Sequence, residues 1–89
     1  MSDINWDEII AKAKSDTENK FQTKISSLTS LTDSDIASLL SVSGINQENF
    51  AEVLKVIHDD STSNTNKAKA INDISGGVQL LVGIAKKVL

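Results

Sequence analysis

Apolar residues recur along this chain at steps of three and four, the spacing that collects them on one face of a helix. In the N-terminal third, Trp6, Ile10, Ala13, Thr17, Phe21, Ile25 and Leu28 predict one long helix over 5–29. Asn5 serves as its N-cap, Glu8 closes a capping box, and Ile4 can staple to Ile9. The stretch from Lys14 to Lys20 is almost entirely polar, so this helix is weakest around Thr17. Leu31-Thr32-Asp33-Ser34-Asp35-Ile36 repeats the start signal: Thr32 caps, Asp35 sits three residues on, and Leu31 can staple to Ile36. A short helix over 33–43 follows, with Ile36, Leu39, Leu40 and Val42 inward. Gly44 ends it in a left-handed turn that lets Ile45 fold back on Leu40. Asn46 then caps a helix over 47–60 that buries Phe50, Val53, Leu54 and Ile57, and the two or three residues between these helices force a tight turn.

A polar connector, Ser61 to Asn66, leads to a last helix running from Thr65 or Asn66 towards Leu89. Ile71, Ile74, Val78, Leu81, Ala85 and Val88 keep the spacing of a helix packed against others. From Val78 the apolar surface widens: Leu80, Leu81, Val82, Ile84, Ala85, Val88 and Leu89 join Val78 in an arc of roughly 200°. A one-sided surface helix needs a stripe of only about 100°. Such a helix must meet several neighbours: its own core, a second copy, a partner or a membrane surface. Gly76-Gly77 inside it costs roughly 1 kcal/mol per glycine against alanine, and marks a kink, a close approach or a cleavage site. The expected fold is all-α: a single domain over 1–89, built as a small four-helix bundle with two long and two short helices and the C-terminal helix central.

Composition sharpens this picture at a few points. Apolar residues are 39% of 89 and the only aromatics are Trp6, Phe21 and Phe50, so the core is aliphatic and modest. Self-association is a natural supplement for a core of that size. The chain has no proline to interrupt a helix, and no cysteine, which excludes disulfides and thiolate metal sites. A net charge of −3 disfavours nucleic acid as a partner. MSDINWDEII is acidic and lacks the apolar stretch of a secretory signal, and no run reaches the 18–20 residues of a membrane span. A soluble, cytoplasmic protein is expected.

Candidate chemistry is sparse. His58-Asp59-Asp60 is the only histidine cluster, but adjacent helical residues point about 100° apart and no second His or Cys completes a metal shell. The nucleophile elbow, phosphate-binding glycine loop, H-E-x-x-H helix and dinucleotide fingerprint are all missing. The carboxylate pairs Asp7/Glu8 and Asp33/Asp35 fall where helix starts call for acids. No catalytic residue, cofactor or metal is therefore assigned.

Two short stretches carry resemblances. Leu39 to Asn46 resembles, over eight residues, the hairpin of helix–hairpin–helix DNA-binding modules, which would imply phosphate contact. Only its first glycine is matched, at Gly44, and Asn46 stands where the second belongs. The next helix carries Glu48, Glu52, Asp59 and Asp60 against a single Lys55, a surface that repels phosphate. Ser75-Gly76-Gly77 is similar to the double-glycine junction of peptide precursors, with Val78–Leu89 as the would-be product.

The expected function is non-catalytic association with a protein partner or with itself. The surface is Val78, Leu80, Leu81, Val82, Ile84, Val88 and Leu89. The alternative is a membrane-surface or peptide-precursor role for residues 78–89.

Overall fold

The computed structural model describes residues 4–88, with side chains through residue 86. Among these the chain is all helical: α1 (Trp6–Ala13), α2 (Glu18–Leu28), α3 (Asp33–Ser43), α4 (Gln47–Ile57), α5 (Asn64–Asp73) and α6 (Gly77–Val88). Six helices stand where four were expected, because each of the two long ones is broken in its middle.

The first break falls in the polar stretch around Thr17. Backbone N–H groups of Ser15 and Asp16 both turn back to the Lys12 carbonyl, and the Ser15 hydroxyl donates to the same oxygen. Thr17 adopts an extended conformation and its hydroxyl accepts from Lys20 N, so it caps α2 instead of continuing α1. Short polar side chains of this kind offer the backbone local partners that compete with the helix. A continuous helix here would bury nothing in return. Gln47 completes the break from across the molecule, its side-chain amide donating to the carbonyls of Ala13 (2.9 Å) and Asp16 (3.0 Å). The two halves then part company, α1 lying on α4 and α2 on α3.

The expected caps at the middle of the chain are present. Thr32 and Asp35 form a reciprocal capping box at the start of α3, and Asn46 Oδ1 accepts from Asn49 N at the start of α4. Gly44 closes α3 with φ +67° and Ile45 is buried beyond it. Val42 departs from expectation: it is 81% exposed, not inward. α4 also ends earlier than 60, at Ile57, where Lys67 Nζ and the His58 ring serve the last carbonyls. Asp59 leaves the helix to accept from Ser61 N, Ser61 Oγ and Thr62 Oγ1.

The second break separates α5 from α6 at Ile74–Gly76, with Gly76 at φ +80°, so the register from Ile71 to Val78 is not continuous. Burial centres on α4 and not on the C-terminal helix. α4 supplies Phe50, Ala51, Val53 and Leu54 to the core and touches α1, α5 and α6. Phe50 meets Phe21 of α2 edge to face, with ring centroids 5.7 Å apart, which ties the two halves of the molecule together.

Candidate functional site

Glycines set how α6 sits. Gly76 lies against Ile45, and its positive φ is one that an L side chain rarely adopts. A Cβ on Gly77 would collide with the carbonyl oxygen of Ile71, and one on Gly83 would stand 2.5 Å from Leu39 Cδ2. The inner stripe of α6 is therefore Gly77, Leu80, Gly83 and Ile84, pressed on α3 and α5. Because Gly76 meets Ile45 while Gly83 meets Leu39, α6 runs antiparallel to α3. Both glycines of the Gly76-Gly77 pair thus have a packing role.

Of the residues expected to form the interaction surface, Leu80 is fully buried and belongs to the core instead. Ile84 is partly buried against the same core. Val78 (43%), Leu81 (36%) and Val82 (49%) are exposed, and Ala85 beside them is half-buried. The side chains of Val88 and Leu89 lie outside the described residues. Residues 78, 81, 82 and 85 follow the i, i+3, i+4, i+7 spacing of a second apolar stripe, about 140° around the helix from the first. Lys86, exposed, stands one residue beyond. The periodicity showed that α6 was apolar on more than one side, but not which side faced inward; the glycines carried that information.

The polar clusters do not converge on a chemical centre. His58 lies over Trp6, with ring centroids 5.3 Å apart, and its Nδ1 is 2.8 Å from the Leu54 carbonyl. Asp59 is committed to Ser61 and Thr62, whose hydrogen bonds hold its carboxyl down at about 2. Asp7 pairs with Lys55 at 2.6 Å and Glu8 with Lys12 at 2.9 Å. The Glu8 carboxyl is lowered by that lysine, and the Lys55 amine is raised by Asp7. A cleft of about 570 Å³ lies between the α1–α2 turn and the α3–α4 turn, with Leu40 and Ile45 among its lining. Asp16 in its wall is held by Lys24 at 2.8 Å, and the Gln47 amide nitrogen is spent on the carbonyls of Ala13 and Asp16. Among the described residues no three His, Asp or Glu side chains are grouped to hold a metal ion, and no helix is long and apolar enough to cross a membrane.

The described residues form a compact all-α fold in which α6 keeps an apolar stripe on its outer side. Comparison with protein families, with curated proteins and with solved structures finds no match to this chain.

Proposed function

We propose that the protein works without catalysis, by associating with another protein surface through the outer stripe of α6. Val78, Leu81 and Val82 are the contact residues. The supporting observation is that α6 carries two apolar stripes and the fold uses one. Isolated exposed apolar residues are ordinary on any surface, but three in helical register beside a half-buried alanine make a contiguous face. Val82→Asp tests this. It should leave the thermal midpoint within a few degrees of wild type at low concentration and abolish whatever self- or hetero-association the native protein shows in sedimentation and pull-down. If Val82→Asp and wild type associate equally, or neither associates with anything, the reading fails.

A membrane-surface role for the same helix has one supporting feature: Lys86 is exposed next to the stripe, and α6 carries no acidic side chain. Flotation with anionic vesicles separates it from protein association. The precursor reading draws on Gly76-Gly77, and the packing roles of both glycines account for the pair without it.

A further inference from the structure

Resting on that reading, we propose that the occupant of the outer α6 stripe is the same stripe of a second copy, packed antiparallel about a two-fold axis between Leu81 and Val82. A stripe spaced 78, 81, 82, 85 is shaped to receive another helix, and a two-fold pairing brings the same patch of each molecule face to face. With the axis placed there, Val78 lies opposite the partner's Ala85, so a larger side chain meets a smaller one at both ends.

Charge decides the direction. Lys86 and Lys87 are the charged residues of α6, and Asp73 is the sole charge in the sequence between Lys69 and Lys86. A parallel pair would bring the lysine ends of both copies together, along with their like helix dipoles. An antiparallel pair sets them at opposite ends and opposes the dipoles. It also places Lys86 level with the partner's Gly77, the first residue of α6, four positions after Asp73, which ends α5 and is exposed. The remainder of the chain, with seven lysines against twelve acids, offers a basic helix end an acidic molecule as its partner. Four side chains, three of them only 36–49% exposed, fall well short of the roughly 800 Å² per partner of a standard interface. The dimer is accordingly a weak one, forming at micromolar concentrations and above.

Sedimentation of the pure chain over about 1 to 500 µM, paired with cysteine cross-linking, tests this proposal; the native sequence contains no cysteine to interfere. Wild type should pass from monomer to dimer across that range, and Val82→Asp should stay monomeric with an unchanged helical spectrum. Val78→Cys mixed with Ala85→Cys should give a disulfide heterodimer on mild oxidation. Neither should cross-link efficiently to itself, because seven residues of offset separate like positions by about 10 Å along the axis, beyond disulfide reach of about 7 Å between Cα atoms. Self-cross-linking of Val78→Cys would mean a parallel pair and overturn the proposal. A strict monomer at the highest concentration would also overturn it. If that monomer nevertheless bound a different protein, and lost it in Val82→Asp, the association reading would stand without the dimer. If it instead floated with anionic vesicles alone, both would fall.

Discussion

At residue scale, Asp59 and the glycines of α6 give the sharpest tests. Asp59 accepts three hydrogen bonds from Ser61 and Thr62, and each favours the charged carboxylate, so its pKa falls from an ordinary 3.8 to about 2. A carboxyl lowered on folding contributes stability that is present above its ordinary value. That contribution is lost as the pH falls through the folded value. The α4–α5 turn should therefore loosen between about pH 4 and pH 2, and a carbon-detected NMR titration should place the Asp59 midpoint near 2. An Asp59 midpoint near 4 would mean that the turn is open in solution. The glycines divide by what stands beside them. At Gly77 the obstacle is backbone, the Ile71 carbonyl oxygen, so Gly77→Ala forces α6 away from α5 and should cost about 1–3 kcal/mol as overpacking does. At Gly83 it is the movable end of Leu39, and alanine gains up to about 1 kcal/mol of helix propensity. Gly83→Ala should therefore lie within about 1 kcal/mol of wild type in urea unfolding.

At the scale of elements, what could be read from the sequence was whatever the chain specifies locally. The bounds of α3, its capping box, the Gly44 turn and the Asn46 cap follow from residues within four positions of one another, and all are present. The two breaks depend on distant partners. A polar run from Lys14 to Lys20 marks α1–α2 as weak, but Gln47 holds the break open from thirty-four and thirty-one residues away. No periodicity reports such a bond. Gly76-Gly77 likewise announces a special place without saying that Ile45 and the Ile71 carbonyl fill it. Val42 misled for a related reason: its spacing from Leu39 suits an inward face, yet the contact of Leu39 with Gly83 orients α3 so that Val42 points to solvent. The Gln47 bond can be tested against the local cap that shares its work. Thr17→Ala should cost about 1 kcal/mol, an ordinary N-cap loss. Gln47→Ala strips partners from two half-buried carbonyls and should cost about 1–3 kcal/mol. Equal and negligible losses in denaturant melts would show that Lys14–Thr17 stays turned without Gln47.

At the scale of the whole molecule, the sequence marks α6 as apolar on more than one side but overstates its share of the core. Eight large aliphatic residues between Ile71 and Leu89 suggested a central helix. In the fold Ile71 and Leu80 are fully inside, Ile74 and Ile84 are partly so, and α4, packed on α1, α5 and α6, gives more side chains to the core. What α6 does not give to the core it holds on its outer stripe, so on the proposed association two neighbouring residues should separate stability from binding. Leu80 is 0% exposed and Leu81 36%. Leu80→Ala removes a buried side chain and leaves a cavity, for an expected loss of about 2–5 kcal/mol. Leu81→Ala should cost less than that at concentrations where the chain is monomeric, because about a third of its surface is already wet and its loss leaves no enclosed cavity. The two should also respond differently to concentration. Raising it stabilises any form that associates, by mass action. Wild type and Leu80→Ala, with the outer stripe intact, should therefore gain stability as concentration rises, while Leu81→Ala should stay flat. Urea melts of the three proteins at two concentrations a hundredfold apart measure both effects at once. Equal losses for the two leucines would mean that α6 is rotated about its axis relative to this fold, and the outer stripe would then be something other than 78, 81, 82 and 85.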